Sequence, residues 1–455
     1  MDLPTILVEN HQKYSNLPGI LLLRSKTATD MLEIVRLREN PEEIAAALSR
    51  KGVQNSADEV RHILTLDDQR RSIIQELEEL RRQMNVTSKS IGLLMKEGKR
   101  DEAEAAKTQT SDMKARIKLL EEELGAVEKD SLIAFTSLPN TPHTSVPDGK
   151  TPEDNVVIHQ NDRRVSFEFK ALPHWELARK HDIIDWELGV KLTGAGFPVY
   201  RGKGAILQRA LISYFLDQAR QQGYEEIMPP LMVNEDSGFA TGQLPDKEGQ
   251  MYHVTEDHFY LIPTAEVPIT NLYRNDILKE EQFPIKNCGY TPCFRREAGS
   301  YGKDVKGLNR LHQFDKVELV QIAHPDKSYE VLEDMTSYVE TLLEALELPY
   351  RRLLLCAGDM SFTSAKTYDL EVWSAAQERW LEVSSVSNFE TYQTNRLKLR
   401  FRDENKRITL AHSLNGSALA LPRIVASLLE NHQQADGSIL IPEVLRPFTG
   451  FEKIG

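Results

Sequence analysis

The sequence predicts an α+β protein in which a long antiparallel helical hairpin precedes a large globular domain built on an antiparallel sheet. Two observations support this prediction. Residues 60–133 contain no proline and repeat apolar side chains every three or four positions, which is the pattern of a coiled coil. From about residue 156 onward, strand-like and helix-like segments mix without regular alternation, and such a mixture favours an antiparallel sheet covered by helices.

Length and composition exclude several classes of protein. The chain has 455 residues, of which 40% are hydrophobic and 27% are charged. These values are ordinary for globular proteins and exclude wholesale disorder. The formal net charge is −13, whereas a protein that coats nucleic acid through bulk charge should be basic. Any nucleic-acid partner must therefore contact a local basic patch.

The three cysteines, Cys288, Cys293 and Cys356, are too few for a disulfide framework or for a zinc site with four cysteine ligands. We expect reduced cysteines, no zinc and a cytoplasmic location. No apolar run approaches the ~18–20 residues that span a membrane. Residues 1–30 lack the features of a targeting segment, and we interpret them as an extension that is disordered or reflects an upstream start.

The predicted hairpin occupies about residues 64–133 of an N-terminal domain that covers residues 31–137. Two helices of about 30 residues each would give it a length of roughly 45 Å. Gly98 permits a tight reversal between them, and Asp101 is a candidate N-cap of the second helix. The seam residues at alternating steps of four and three are Ile73, Leu77, Leu80, Met84, Thr87, Ile91, Leu94, Ala103, Ala106, Thr110, Met113, Ile117, Leu120, Leu124 and Val127.

A proline-rich linker is predicted at residues 138–155, since it carries four prolines among Asn, Thr and Asp residues. The globular domain then covers residues 156–455. Strand texture is found at 156–158, 256–262, 314–321 and 367–372, and helix texture at 207–222 and 422–431.

The segment 289–320 carries the most chemistry. We expect a strand at 290–297, a polar loop, and a returning strand that begins at residue 313. Arg295 and Glu297 would share one face, as would Phe314, Lys316 and Glu318. An arginine fork suits a phosphate or a carboxylate, and a phenylalanine offers a stacking face. A surface hairpin with salt bridges fits the same residues, and glycine-rich phosphate loops are absent from the sequence.

A family resemblance extends this interpretation. The residues Phe294-Arg295-x-Glu297 with 310–314 (RLHQF) resemble motif 2 of the class II aminoacyl-tRNA synthetases, and 223–230 (GYEEIMPP) resembles motif 1. Leu414-Asn415-Gly416-Ser417 with Arg423 resembles motif 3. Residues 263–266 (PTAE), 366–373 (KTYDLEVW) and 382–385 (EVSS), together with the arm, are similar to the seryl-tRNA synthetase family. The resemblance covers residues 31 to about 450.

The resemblance implies a catalytic domain of the class II type and the roles of its ATP-binding residues. Arg295 would clamp the α-phosphate and the amino acid carboxylate, and with Arg423 it would be catalytic. Phe314 would stack on adenine, Glu297 would accept its amino group, and Arg310 would hold the outer phosphates. The residues implied for ATP are Arg295, Arg296, Glu297, Arg310, Phe314, Glu382, Val383, Ser384, Ser385 and Arg423. Of these, Glu382 and Ser385 would also bind Mg²⁺.

The resemblance further implies a serine pocket made by Thr264, Ala265, Glu266, Arg295, Glu318, Asn415 and Ser417. Glu318 would lie near the ammonium group. A site built around a hydroxyl rejects alanine because its own polar groups would be left unpaired. None of these residues is a nucleophile or a general base, which fits direct attack of the serine carboxylate on ATP.

The partners implied are L-serine, serine tRNA, selenocysteine tRNA as a further possibility, and a second copy of the chain. The arm would contact tRNA through shape and backbone, although composition alone predicts only an exposed hairpin. Its candidate phosphate contacts are Arg70, Arg71, Arg81, Arg82, Lys89, Lys96, Lys99 and Arg100. Two alternatives stay open: a ligase that loads a carrier protein, and a binding protein that keeps the fold without catalysis.

The chain departs from the family pattern at a few positions. Residues 384–390 read SSVSNFE, with Val386 and Phe389 where bacterial relatives often have cysteines, and Leu421-Pro422 precede Arg423. Val386 and Phe389 look like core substitutions, and the helix start should tolerate Pro422. No residue implied in catalysis is missing.

Overall fold

The computed structural model describes residues 34–246, 249–297 and 306–455. These residues form two compact units. The first contains residues 34–49 and 53–138, and the second contains residues 50–52 together with the remainder from Pro139 onward. The prediction for residues 1–30 lies outside the described residues.

The first unit is helical and is dominated by an antiparallel hairpin. Its helices are α1 (Ile34–Glu39), α2 (Pro41–Arg50, which ends at the boundary of the unit), α3 (Ser56–Lys96) and α4 (Arg100–Ser137). The predicted seam is present, because Ile73, Leu77 and Leu120 form a buried apolar cluster. Ion pairs cross the seam between Arg81 and Glu121 at 2.8 Å and between Arg116 and Glu76 at 2.9 Å. The helices therefore run antiparallel in register.

The reversal between α3 and α4 is as short as predicted. Gly98 has a φ of 78°, a conformation that glycine adopts without a steric penalty. Asp101, however, is not the N-cap: α4 begins at Arg100, with Lys99 at the cap position. Asp101 lies instead in the first turn, where its charge is favourable to the helix dipole.

The second unit combines a large sheet with helices and smaller sheets. Its helices are α5 (His174–Lys180), α6 (Trp186–Leu192), α7 (Gly202–Gln221), α8 (Glu235–Thr241), α9 (Glu266–Thr270), α10 (Ser328–Ala345), α11 (Tyr392–Leu397), α12 (Leu421–Asn431) and α13 (Arg446–Thr449). Its strands are β1 (Val156–Gln160), β2 (Ile184–Asp185), β3 (Val199–Tyr200), β4 (Glu225–Glu226), β5 (Met232–Val233), β6 (His253–Val254), β7 (Phe259–Leu261), β8 (Ile277–Lys279), β9 (Ile285–Phe294), β10 (Gln313–Ala323), β11 (Tyr350–Leu354), β12 (Lys366–Ser374), β13 (Arg379–Asn388), β14 (Arg400–Arg402), β15 (Ile408–Leu410), β16 (His412–Ala420), β17 (Ile439–Leu440) and β18 (Lys453–Ile454).

The eight-stranded sheet has the order β1-β11-β12-β13-β16-β10-β9-β4. Neighbouring strands are antiparallel except β4, which pairs parallel with β9. One face of the sheet packs against α7, α10 and α12 to form the main apolar core. Polar side chains therefore remain on the opposite face, because successive residues of a strand point to alternate sides. This architecture confirms the predicted α+β class.

Two predicted strand boundaries are wrong. The strand expected at 290–297 is β9, which begins five residues earlier and ends at Phe294, so Arg295 and Glu297 lie beyond it. The strand expected at 256–262 is limited to β7, because a turn occupies its first half. Among the described residues, no helix is both long and apolar enough to cross a bilayer.

Candidate active site

The polar face of the sheet collects side chains from three adjacent central strands. Phe314 and Glu318 project from β10 on this face. Ser417 of β16 pairs across from Glu318, and Asn415 pairs across from Val320 two residues further along. Residues at alternate positions of paired strands lie on the same side. Motif residues that are almost 100 positions apart in the sequence are thus neighbours.

A buried ionic cluster lies at the centre of this face. The Lys316 ammonium group pairs with the Glu318 carboxylate and donates to Thr264 Oγ1 at 2.9 Å. Thr264 Oγ1 in turn donates to Glu318 Oε2 at 2.9 Å. Lys316 and Glu318 are only 6% and 1% exposed, and buried charges are tolerated when they are paired and hydrogen-bonded. The cluster holds a carboxylate at a defined position on the sheet.

Glu266 supplies a second buried carboxyl group beside this cluster. Its Oε1 accepts a hydrogen bond of 2.6 Å from Gln393 Nε2, and its backbone N–H donates to Thr264 Oγ1 at 3.2 Å. Burial and the nearby Glu318 carboxylate raise the pKa of Glu266 to about 7, because both disfavour its charged form. The preceding residue, Ala265, is fully buried and occupies the N-cap position of α9.

The guanidinium group of Arg295 lies near the aromatic ring of Phe314, at 5.2 Å from the ring centroid. Phe314 pairs across β9 with Cys293, so Arg295, two residues further on, lies towards the same face. Arg295 Nε donates weakly to the carbonyl of Pro263 at 3.4 Å. The fork and the stacking surface predicted from the sequence are therefore adjacent, although the strand ends before Arg295.

Glu297 and Arg310 form an ion pair with each other in this structure. Glu297 has a φ of 48°, in the left-handed region, so the chain turns away from the strand direction at this point. Arg296 is exposed, and its backbone N–H donates to the carbonyl of Gln250 at 2.8 Å.

A β-bulge in β13 brings Glu382 and Ser385 to the polar face. In a regular strand, residues three apart point to opposite faces. Here Ser384 pairs with Leu370 and Glu382 pairs with Glu371, so one extra residue, Val383, is inserted and the alternation is reset. Val383 and Ser384 are themselves buried, each only 1% exposed.

Asp369 is an acidic residue at the site that sequence reasoning did not single out. It pairs across from Ser385, and its Oδ1 is buried without a hydrogen-bond partner. Burial and the neighbouring Glu382 carboxylate raise its pKa well above the usual range. Asp369 lies within the segment 366–373, which resembles the family, but only the strand pairing places it beside Glu382 and Ser385. Gln393 was missed for the same reason, whereas Lys316 was expected on the face of Phe314 and Glu318 but was given no role in the pocket.

Arg423 lies in the first turn of helix α12 and contacts β13. Its Nη1 donates to the carbonyl of Glu382 at 2.6 Å and lies 3.6 Å from the Glu382 carboxylate. Its Nε donates to the carbonyl of Asn309 at 3.2 Å. The motif 3 arginine is thus fixed against both the β13 strand and the chain that leads into Arg310.

The residues predicted to bind Mg²⁺ and those predicted to contact tRNA belong to different units. In the described part of the chain, no group of three or more His, Cys, Asp or Glu side chains is arranged to hold a metal ion. The eight basic candidates on the arm belong to the other unit. Several of them already have acidic partners: Arg71 with Asp68, Arg81 with Glu121, Arg82 with Glu79 and Lys99 with Glu97.

Comparison with known families matches both units. Residues 251–432 match the model of the tRNA synthetase class II core domain (G, H, P, S and T). Residues 31–142 match the model of the seryl-tRNA synthetase N-terminal domain. The two matches therefore fall on the polar sheet face and on the helical hairpin.

Individual relatives match over nearly the whole chain. The serine–tRNA ligase of Salinibacter ruber is 54% identical, over 93% of this chain and 99% of the relative. The serine–tRNA ligase of Chlorobium phaeobacteroides is 45% identical, over 93% and 100%. The crystal structure of seryl-tRNA synthetase from Pyrococcus horikoshii complexed with ATP is 34% identical, with a TM-score of 0.86 over 93% of this chain and 99% of that chain.

Proposed function

The chain belongs to the serine–tRNA ligase family of class II aminoacyl-tRNA synthetases, and on that premise we propose how its residues perform the reaction. The enzyme uses ATP to join serine to tRNA. In the first step a serine carboxylate oxygen bonds to the α-phosphorus of ATP, and pyrophosphate leaves. In the second step a hydroxyl at the 3′ end of the tRNA bonds to the serine carbonyl carbon, and AMP leaves.

The serine pocket is formed by Thr264, Glu266 and Glu318 on one side and by Asn415 and Ser417 on the other. The buried Lys316–Glu318–Thr264 cluster is the observation that carries this assignment. Its paired carboxylate is at a fixed position where it can accept hydrogen bonds from the serine ammonium group. Glu266 and the Asn415 and Ser417 side chains supply polar partners for the hydroxyl, and the buried Ala265 limits the volume available to a larger side chain.

ATP is held by side chains on the remaining part of the polar face. Arg295 contacts the α-phosphate and the serine carboxylate, so that it neutralises charge that develops in the transition state. Phe314 stacks on the adenine, and Arg423 lies against the opposite side of the nucleotide. Arg310 reaches the outer phosphates once it separates from Glu297, which then accepts from the adenine amino group. Catalysis therefore consists of positioning and charge neutralisation, without a protein nucleophile.

We propose that Glu382 and Ser385 bind Mg²⁺ together with phosphate oxygens. The buried Asp369 carboxyl, with its unpartnered Oδ1 and raised pKa, fits a site that needs positive charge. A bound Mg²⁺ would supply charge neutralisation across the phosphates. The protein would present two oxygen ligands, from Glu382 and Ser385, on one face of the sheet because of the bulge at Val383. Asp369 would lie next to them, across from Ser385.

The arm is proposed as the tRNA-binding element, with contacts to phosphates rather than base edges. Lys89, Lys96 and Arg100 are the strongest of the eight candidates. Among the described residues no acidic side chain pairs with them, whereas Arg81 and Arg82 are committed to Glu121 and Glu79. Serine tRNA is the substrate we propose, and selenocysteine tRNA is a second substrate that a shape-reading arm would also accept.

We also propose that the enzyme is a homodimer and works in the cytoplasm. The segment that resembles motif 1 leads to exposed apolar side chains: Met228 is 90% exposed, Met232 50% and Leu231 37%. Such patches mark interaction surfaces, and this one lies next to β4, the edge strand of the large sheet. The three cysteines are free and buried, which is typical of proteins in reducing compartments.

The first test is serine-dependent exchange of pyrophosphate into ATP, with threonine, alanine and cysteine as controls, followed by charging of bulk tRNA. We expect exchange with serine and charging with the same preparation. Exchange without charging would indicate a ligase that loads a carrier protein. Absence of exchange with every amino acid would indicate a binding protein that has kept the fold, and the site assignments would then be withdrawn.

A further inference from the structure

A second cluster of buried titratable side chains lies outside the site described above. His174 of α5 and Glu430 of α12 are both completely buried, and His174 Nδ1 is 2.7 Å from Glu430 Oε1. The backbone N–H of His174 donates to the same oxygen at 3.0 Å. Burying such a pair costs free energy unless every polar atom has a hydrogen-bond partner. The other hydrogen bonds of His174 and Glu430 therefore indicate what the pair holds in place.

The other ring nitrogen of His174 contacts the chain that returns towards the active site. The backbone N–H of Leu308 donates to His174 Nε2 at 2.8 Å. An accepting nitrogen carries no proton, so the proton of the neutral imidazole is on Nδ1, where it is donated to Glu430. The histidine therefore links helix α12 to Leu308 by one donated and one accepted hydrogen bond.

Gly307 makes this approach possible. Its φ is +67°, and a Cβ at this position would lie 2.2 Å from His174 Nε2. Only glycine adopts this backbone conformation without penalty while leaving room for the imidazole. Three features together therefore fix the path of residues 307 and 308. They are Gly307, the buried acceptor nitrogen of His174 and the buried carboxylate of Glu430.

A series of side-chain hydrogen bonds leads from Glu430 to Asn309. Gln377 Nε2 donates to Glu430 Oε1 at 3.1 Å, and Asn309 Nδ2 donates to Gln377 Oε1 at 3.0 Å. Ser374 Oγ donates to the second oxygen of Glu430. The carbonyl of Asn309 then accepts from Arg423 Nε at 3.2 Å, and Arg310 follows directly.

We propose that His174 and Glu430 are positioning residues for ATP binding: they set the backbone at Leu308 and Asn309, and through it the guanidinium groups of Arg310 and Arg423. This inference rests on the proposed ATP-binding roles of those two arginines. Two apolar residues could fill the same volume, but they would leave the buried Leu308 N–H unpaired and its orientation unspecified. The geometry thus assigns the pair to orientation of the nucleotide site.

Two substitutions of one residue separate orientation from simple packing. His174→Asn keeps a donor near Nδ1 for Glu430 but removes the acceptor for Leu308. His174→Gln keeps an acceptor near Nε2 for Leu308 but removes the donor to Glu430. In pyrophosphate exchange we expect His174→Asn to raise the KM for ATP about tenfold with the KM for serine unchanged. We expect His174→Gln to keep the ATP KM within about twofold while its thermal midpoint falls.

A variant at Gln377 tests the same proposal independently, in case the His174 variants do not fold. Gln377 is half-buried in the turn between β12 and β13, and Gln377→Leu removes the link between Glu430 and Asn309 without touching the core. It should also raise the ATP KM and leave the serine KM unchanged. Equal effects of His174→Asn and His174→Gln on the ATP KM, or parallel changes in the serine KM, would overturn the proposal.

Arg423→Ala distinguishes failure of this inference from failure of the proposed function. A raised ATP KM in Arg423→Ala with an unchanged ATP KM in His174→Asn and Gln377→Leu overturns the positioning role alone. An unchanged ATP KM in Arg423→Ala overturns the assignment of Arg423, and the positioning role falls with it. A raised ATP KM in all three variants, with His174→Gln near the unmodified protein, supports both.

Discussion

The carboxyl group of Glu266 is buried beside the carboxylate of Glu318, and this burial makes the stability of the protein depend on pH. Burial raises the pKa of Glu266 to about 7, whereas a glutamate in an unfolded chain titrates at about 4.3. Between these values the native state binds more protons than the unfolded state. The stabilising contribution is therefore complete below the unfolded pKa and is lost as the pH rises through the native pKa.

Glu266→Gln should reduce this loss of stability, because the amide does not titrate. Between pH 5 and pH 8 we expect the free energy of unfolding to fall by about 2–3 kcal/mol less in the variant than in the unmodified protein. Urea unfolding followed by tryptophan fluorescence measures it, since all four tryptophans lie in the second unit. Glu443→Gln, at an exposed position, is the matched control and should behave as the unmodified protein does. Identical pH profiles for Glu266→Gln and the unmodified protein would refute the expectation.

Arg295 is the residue for which the chain offers no substitute. Arg295→Ala should lower pyrophosphate exchange by at least about 10²–10³-fold, because a preorganised donor at developing charge is lost. Arg295→Lys should recover little of it, since an ammonium group lacks the bidentate fork. Arg402→Ala, an exposed arginine on β14, serves as the control with unchanged exchange. Retained exchange in Arg295→Ala would remove the phosphate-clamp assignment.

Among the elements, the proposal assigns tRNA binding to the arm and serine activation to the sheet face. The hairpin of α3 and α4 is held by its own seam and by cross-helix ion pairs. The cross-helix pairs Arg81–Glu121 and Arg116–Glu76 place residues near 67 and 129 opposite each other. The outer part of the hairpin can therefore be removed and its ends joined by a short glycine turn.

Deletion of residues 68–128 should leave serine-dependent pyrophosphate exchange within about twofold and reduce tRNA charging by about 10²-fold or more, since phosphate contacts dominate affinity for nucleic acids. Both activities are measured on one preparation. A second shortened chain that loses only two turns at the tip is the control for the new junction. Charging that survives the larger deletion would mean that tRNA binds elsewhere.

At the scale of the whole molecule, the exposed apolar segment after β4 predicts self-association. Met228→Asp places a charge at a side chain that is 90% exposed in the single chain and should dissociate a dimer into monomers of 51.8 kDa, because an unpaired charge in an apolar interface is strongly unfavourable. Multi-angle light scattering measures the mass. Ile408→Asp, on the separate strand β15, is the control. A monomer in the unmodified protein would contradict the dimer proposal.

Most of the architecture was predictable because its signals are local. The seam of α3 and α4 follows from the spacing of apolar residues along each helix. The residues that face the seam can therefore be predicted without knowledge of the rest of the chain. The order of elements and the α+β class follow in the same way. The boundary of β9 was not predictable, since Arg295 and Glu297 continue the polar alternation after the strand has ended.

The candidate site was predictable as a set of residue types and not as an arrangement. The resemblance named Arg295, Glu318, Asn415 and Arg423 because motifs are short and ordered along the chain. It did not name Asp369 or Gln393, whose partners Ser385 and Glu266 lie on other elements. The extra residue at Val383, which turns Glu382 and Ser385 to one face, is likewise visible only when the pairing with β12 is known.

The sequence by itself determined the helical arm and the class of fold, because these depend on short-range pattern, and its short motifs supplied the candidate residues for ATP and serine through the family resemblance. Tertiary structure alone decided the burial that raises the pKa of Glu266, the face on which Glu382 lies, and the contact of His174 with Glu430, which are 256 residues apart. Electrostatic environment and strand register arise from long-range contacts. No local pattern in the sequence encodes them.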